Sequence, residues 1–285
     1  MKNCYVIVNK NDYKTTKHLV DNIIDYNNID EILIIDNASN EEEKKLISSI
    51  KNPKIEKIFN NEDLGYSSAI NKACNYLIDK YNKCNFIISN SDIVILSEND
   101  LDKLLELLSY ESVGLVGPQI LERGKVIRGR RIPSVRRDII SNLPVFHHFI
   151  KSNGDGYKDS YYKDDTSTVE VISSAFFLIT SKTLKKIRFL DEHVFLFYED
   201  NILGVKMKEA GLMTLIHNKV KVKHLFSSTI EKTMNDKTVF DHLCNSQIYF
   251  HKKYSKATPF QLRLLKISNR IRFNHYMTKK IIKKK

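Results

Sequence analysis

Glycine is scarce in this chain, nine in 285 residues, so each one, Gly65 included, is expected to stand where the backbone requires it. The four cysteines (Cys4, Cys74, Cys84, Cys244) show no close pairing and no CxxC, which argues against a disulfide framework and for buried, reduced thiols. No run approaches the roughly 18 apolar residues of a membrane-spanning helix. The opening apolar run is cut off by Asn9-Lys10-Asn11-Asp12 and is too short for a signal peptide, so a cytoplasmic protein is expected. Acidic residues are missing from one stretch: positions 251–285 hold twelve Lys and Arg and no Asp or Glu, while positions 1–250 balance 34 basic against 34 acidic residues. The net charge of +12 therefore belongs to the tail and points to a local electrostatic contact.

The rest of the composition, 42% hydrophobic and 28% charged, is that of a soluble globular chain long enough for a real core. Four short apolar runs are each followed at once by polar residues: Val8 by Asn9, Ile35 by Asp36-Asn37, Phe59 by Asn60-Asn61, and Ser89 by Asn90-Ser91-Asp92. Val- and Ile-rich runs of this length, separated by helical stretches, read as buried strands of a parallel sheet. Helices are expected at 14–26, 41–50 (opened by Ser39 as a cap, with Glu42 three residues on), 66–80 and 98–109, and a fifth strand ends at Gly117-Pro118. The alternation argues for an open, mostly parallel α/β sheet with right-handed crossovers. In such a sheet ligands sit outside the carboxyl ends of the strands, which gathers the four polar sites at one edge, where a nucleotide and a metal would lie.

Beyond residue 118 the pattern changes. Residues 122–137 are rich in Arg, 141–167 read as a long surface loop or lid, and Val169 to Thr180 as one strand-like run. A helix starting at Glu199-Asp200 ends near Gly211, and 212–217 and 219–224 read as two short strands. The expected organisation is a nucleotide-binding half over 1–118, an acceptor-binding and catalytic half of the same domain over 119–230, and a basic helical tail over 231–285.

Several residues suit chemistry. Asp92, after a buried strand, supplies oxygen to a divalent cation, Mg2+ or Mn2+; a capping or turn role is the plain alternative. Glu199-Asp200 begin a helix, where acidic residues are stabilised by the dipole in any case, yet partial burial would raise a carboxyl pKa and suit a general base. His224 ends a strand and becomes a ligand candidate if a carboxylate stands beside it. Gly65 opens a helix with small residues in its first turn and Asn71 one turn on, a backbone that allows close approach of chain or phosphate.

Taken in order, Val6-Ile7-Val8-Asn9, Ile34-Ile35-Asp36-Asn37-Ala38-Ser39, Asn61 to Asn71, Asn90-Ser91-Asp92, Ser174-Ala175-Phe176-Phe177, Tyr198-Glu199-Asp200 and His224 resemble the family-2 glycosyltransferases of GT-A fold, especially bacterial enzymes of surface-polysaccharide synthesis. The resemblance implies that Asp36 contacts the nucleobase of a UDP- or dTDP-sugar and that Val8, Asn9, Asn37, Gly65, Asn71, Asn90 and Ser91 line the donor site. It implies that Asp92, last position of a DxD-like motif, and His224 hold the metal. It makes Asp200, with Glu199 beside it, the base of an inverting transfer to a glycan or lipid-linked acceptor. The chain departs from the pattern at Asn90, where the motif has an acidic residue, at Ile202, and at Ser174 and Ser227 where glycine is common.

In the tail, Phe260, Leu264, Ile267 and Ile271 share one helical face beside Arg263, Lys266 and Arg270, whereas Leu262 and Leu265 turn toward the body. With the cluster Lys279–Lys285 this suits the anionic inner face of a membrane, each such charge contributing about 1 kcal/mol. The neutral body and the absence of aromatic stacking motifs among the basic residues argue against nucleic acid. A nucleotidyltransferase is disfavoured by a first loop without a Gly-rich, Arg-containing sequence; a catalytically silent scaffold and a homodimer stay open.

Overall fold

The computed structural model describes residues 1–144, 156–225 and 234–284. Strand β1 (Lys2–Asn9) leads through α1 (Tyr13–Ile23) to β2 (Glu31–Asp36), and α2 (Glu41–Ser49) leads to β3 (Ile55–Phe59). Helix α3 (Tyr66–Tyr81) returns the chain to β4 (Cys84–Asn90), followed by the short β5 (Ile93–Ile95), α4 (Glu98–Leu108) and β6 (Val113–Glu122). Strand β7 (Lys125–Ile127), α5 (Val135–Ser141) and a 3-10 turn (Asp159–Tyr162) precede β8 (Thr166–Val169) and β9 (Phe176–Thr180). Then come α6 (Ser181–Lys186), α7 (Glu199–Glu209), β10 (Met213–His224), α8 (Asp236–Lys253) and α9 (Pro259–Lys284).

The strands form one sheet in the order β3-β2-β1-β4-β9-β6-β10-β5, with β7 beside β6 and β8 beside β10. β1 to β4 are mutually parallel, β9 runs antiparallel between β4 and β6, and β10 is parallel to β6. The sheet is therefore mostly parallel, as the alternation of elements predicts. Successive residues of β1 face opposite ways: Cys4 and Val6 join a core with α3, α6 and α7, while Tyr5 and Ile7 join one with α1, α2 and α4. Two covered faces explain why β2 is buried at every position and reads as an unbroken apolar run.

Several expectations needed correction. Helix α2 is capped by Asn40, whose side chain accepts from Glu43 N–H, which frees Ser39 for contacts at the strand ends. β6 continues through Pro118 to Glu122; Pro118 lies opposite His217, where the register with β10 shifts before Lys221, so its missing N–H falls at an irregularity. That shift also joins the two expected short strands into the single β10. The run from Val169 to Thr180 divides at 170–175, because β8 pairs with β10 and β9 is inserted beside β4. The expected loop over 141–167 contains the end of α5, the 3-10 turn and the start of β8, and its stretch 145–155 lies outside the described residues, as do Phe226, Ser227 and Ser228. No described helix is long and apolar enough to cross a membrane.

Helices α5, α8 and α9 are joined by a buried polar cluster. Asn142 donates to Asn269 at 2.7 Å and to Ser268 Oγ at 3.2 Å, and accepts from Arg272 at 3.1 Å. Leu265 is fully buried, while Phe260 on the opposite face is 70% exposed. The tail thus packs by its polar and Leu265 side and leaves its apolar stripe outward.

Candidate active site

Register brings three strand ends together. Asn9 lies opposite Asp36 across β1 and β2, and Asn90 lies opposite Val8 across β1 and β4. Asn9 Nδ2 donates to Asp36 Oδ2 at 2.8 Å, and Thr16 Oγ1 donates to Asn9 Oδ1 at 2.7 Å. The other Asp36 oxygen accepts Ser39 N–H at 3.0 Å, and Ser39 Oγ accepts Asn11 N–H at 2.7 Å. Asn9 and Asp36 are both buried, so this network fixes the loop after β1 at the edge of the sheet.

The next layer is the loop 60–65. Asn37 Oδ1 accepts Leu64 N–H and Asn60 Nδ2, each at 3.1 Å, and Asn37 Nδ2 donates to Asp63 at 2.6 Å. Lys10 pairs with Asp63, tying the first loop to the third. Gly65 has φ of 75°, and a Cβ there would meet the Phe195 carbonyl oxygen at 2.7 Å. That carbonyl accepts Tyr66 N–H at 3.1 Å, so the close approach that requires glycine is made by the chain just before Glu199. Asn71 is apart from the others. Its amide donates to Leu190 O and Glu192 Oε1 and accepts Leu190 N–H, and it borders a cavity of about 780 Å3 together with residues 186–193. That cavity is separate from the strand-end site.

Asp92 and His224 do meet. Strand β5 pairs Ile93 with His224, which sets Asp92 Oδ1 3.1 Å from His224 Nε2. His224 Nδ1 lies 2.9 Å from Glu122 Oε2. Burial opposes charge on the imidazole, but the Asp92 and Glu122 carboxylates outweigh it and raise its pKa above the ordinary value. A carboxylate oxygen and an imidazole nitrogen in direct contact, with a second carboxylate on the far ring nitrogen, are residue types that also occur in divalent-cation sites. Among the described residues no group of three or more His, Cys, Asp or Glu forms a ready cage. Mg2+-type ions are commonly held by one or two carboxylates plus substrate phosphates, without a cage made wholly of protein groups.

Glu199 and Asp200 open α7 after Phe197 and Tyr198, both with left-handed backbone, φ 69° and 66°. Ser174 Oγ donates to Glu199 Oε1 at 3.0 Å, whereas Glu199 Oε2 is buried with no partner. Burial, and then the neighbouring Asp200 charge, push the Glu199 pKa up to about 7. Asp200 Oδ2 accepts from Arg130 at 2.7 Å, and Asp200 Oδ1 accepts Asn201 N–H at 2.7 Å. Arg130 also donates to Asn201 Oδ1 at 2.5 Å.

The two acidic groups stand on either side of one turn and beside one phenol. The 173–175 turn lies between them: Asn90 N–H donates to Ala175 O at 3.0 Å, and Ser174 holds Glu199. Tyr66 donates to Ser174 O at 2.5 Å, and its buried phenol, raised well above its ordinary pKa first by burial, feels the charges of Glu199, Asp200 and Asp92 together. Residues the sequence reading did not single out as ligands complete the site: Arg130, Tyr66, Ser39 and Glu122. Arg130 stands among six similar arginines in 122–137, and only its contact with Asp200 distinguishes it.

Residues 4–187 match the model of glycosyl transferase family 2. Glu199, Asp200 and His224 lie beyond the matched span. No protein of curated function matches the sequence. Similar solved structures include GalNAc-T7 with UDP, GalNAc and Mn2+, with TM-score 0.60 and 16% identity over 79% of this chain. The chain spans only 44% of that protein. TarS residues 1–349 of S. aureus superpose with TM-score 0.54 at 11% identity, covering 90% of this chain and 73% of theirs. A mannosyltransferase from Pyrobaculum calidifontis, in complex with GDP-Man and Mn2+, gives TM-score 0.53 at 11% identity over 94% of this chain and 73% of its own. At these identities the likeness is one of fold, the GT-A fold of nucleotide-sugar transferases.

Proposed function

The chain belongs to glycosyl transferase family 2, and from that premise we propose that it transfers a sugar from a nucleoside-diphosphate donor to an acceptor hydroxyl with inversion of configuration. The observation that carries this reading is the convergence of both acidic pairs on Tyr66 and the 173–175 turn. Asp92 and His224 lie on one side and Glu199-Asp200 on the other, with Tyr66 and the 173–175 turn between them.

In this reading the Asp36–Asn9–Ser39 network at the strand ends receives the nucleoside. Asp92 and His224 Nε2 would hold Mn2+ or Mg2+, with Glu122 orienting the imidazole; two of the structural relatives were solved with Mn2+. The ion, when bound, neutralises charge on the diphosphate leaving group. Asp200, oriented by Arg130, takes the proton from the acceptor hydroxyl as the new glycosidic C–O bond forms and the bond from anomeric carbon to phosphate oxygen breaks. One base and one displacement give inversion. Glu199, buried and poised near neutrality, stands beside Asp200 and is held by Ser174.

The acceptor belongs to the same proposal: a glycan or lipid-linked saccharide of bacterial surface-polysaccharide synthesis. Support comes from α9, where Phe260, Leu264, Ile267 and Ile271 are exposed in successive turns of a helix with no acidic residue. Next to them Arg136, Ile139 and Ile140 of α5 line a shallow apolar cavity of about 400 Å3. An apolar stripe flanked by cations suits peripheral attachment to an anionic bilayer. The direct test of donor binding is thermal stabilisation by UDP-, dTDP- and GDP-sugars with Mn2+ present; binding to the folded state alone must raise the Tm. Absence of any shift across all three nucleotide classes would count against the reading.

A further inference from the structure

The turn that presents Glu199 and Asp200 is held from outside the α/β body. Helix α8 touches it at successive turns of one face. His242 stacks on Phe195 with ring centroids 4.5 Å apart, Ser246 Oγ donates to Leu196 O at 2.8 Å, Gln247 Nε2 donates to Tyr198 Oη at 2.8 Å, and Phe250 packs on the Tyr198 ring at 5.4 Å. From the other side α5 contributes Asp138, whose Oδ2 accepts the Tyr198 hydroxyl at 2.5 Å and lies 2.6 Å from Nε2 of the fully buried His251, again on α8. Tyr198 N-caps α7 in left-handed backbone, and its carbonyl accepts Ile202 N–H in the first turn.

Two consecutive non-glycine residues with positive φ cost of order 1–3 kcal/mol each and persist only where their surroundings over-determine them. Here the surroundings are α8 and Asp138. Burial, with the Asp138 carboxylate next, keeps the Tyr198 phenol protonated and a donor. No residue of this network bonds directly to Asp200; the influence runs through the backbone of Tyr198.

We propose that Tyr198, Asp138 and His251 are positioning residues for the Glu199–Asp200 pair, so that α8 is a working part of the transfer site. This rests on Asp200 being the base. Its role as a template follows from the geometry of a strained turn clamped on two sides. Tyr198→Phe removes one hydroxyl and keeps the ring packing against Phe250; Asp138→Asn and His251→Gln weaken the second arm of the clamp.

The experiment measures nucleoside-diphosphate release, at saturating donor, from whichever UDP-, dTDP- or GDP-hexose the wild-type chain consumes, together with calorimetric binding of the corresponding nucleotide and Mn2+. The expected result for Tyr198→Phe and His251→Gln is a fall in kcat of at least tenfold, with donor KM and nucleotide affinity within about twofold of wild type, well below each variant's Tm. A purely structural role would lower the Tm while leaving kcat of the folded fraction unchanged, and that result overturns the proposal. Asp200→Asn separates the two claims. If it is inactive while Tyr198→Phe is fully active, positioning fails and the base stands; if Asp200→Asn turns over normally, or no donor is consumed, the base reading fails and takes the proposal with it.

Discussion

Glu199 makes a quantitative prediction. Its carboxyl is buried, Ser174 donates to one oxygen, the other has no partner, and burial followed by the Asp200 charge lifts its pKa from 4.5 to about 7. Between those values the folded chain holds the proton that the unfolded chain has released. The folded state binds more protons there, so stability falls as pH rises: the contribution is complete below 4.5 and is lost through about 7. At about 1.36 kcal/mol per pH unit, the interval bounds the loss at about 3 kcal/mol, and water reaching the carboxyl reduces it. Glu199→Gln keeps the shape and an oxygen for Ser174 but has no charge to bury. Urea unfolding of both proteins from pH 4 to pH 9 should show the variant gaining on the wild type from about pH 4.5, then holding a constant advantage of about 1–3 kcal/mol above pH 7. A difference that does not vary with pH, or a variant less stable above pH 7, would refute the reasoning.

Gly65→Ala forces a Cβ against the Phe195 carbonyl at 2.7 Å in backbone with φ of 75°; a loss of about 1–3 kcal/mol, read as a lower Tm, is expected, together with reduced turnover because that carbonyl precedes the proposed base pair Glu199–Asp200. Arg130→Lys loses the fork that spans Asp200 and Asn201, so kcat should drop at least about tenfold with nucleotide binding intact; equal kcat would show that the pair orients nothing. Phe260→Ser with Ile267→Ser changes only outward side chains, 70% and 49% exposed, and should release the protein from phosphatidylserine vesicles in flotation while leaving the Tm unchanged. Substitution is the right perturbation: removing residues 260–285 would also strip Leu265 and the Ser268–Asn269 contacts with Asn142 from the body.

The first half of the fold was legible because β1, β2 and β4 are covered on both faces and read as unbroken apolar runs, each closed by the polar residues that reach the site. The later strands were harder for a stated reason. The segment from Val169 to Thr180 carries neither Gly nor Pro, so nothing in it marks the turn at 173–175 where β9 departs antiparallel into the middle of the sheet. Helix α8 falls within the helical tail expected over 231–285, but its contact with the site was not legible, because its inward face includes Ser246, Gln247 and His251 and carries no apolar period. Tail polarity was readable: Leu265 is buried and the Phe260–Ile271 stripe is outward, as the helical spacing predicts. Among site residues, the Asp92–His224 contact was within reach of chemical reasoning, since a lone histidine gains meaning only beside a carboxylate. Asn71 showed the opposite: it lies at the expected spacing after Gly65, yet its amide is consumed by Leu190 and Glu192.

The central claim is that Asp92 and Asp200 serve one reaction from two sides of the 173–175 turn. Calorimetry of nucleoside diphosphate with Mn2+, paired with donor turnover, on Asp92→Asn and Asp200→Asn tests it most directly. The account predicts that Asp92→Asn loses the Mn2+-dependent part of nucleotide affinity, while Asp200→Asn binds nucleotide like the wild type and loses turnover by at least about a hundredfold. Asp200→Asn with full turnover, or Asp92→Asn with unchanged Mn2+-dependent affinity, would contradict it.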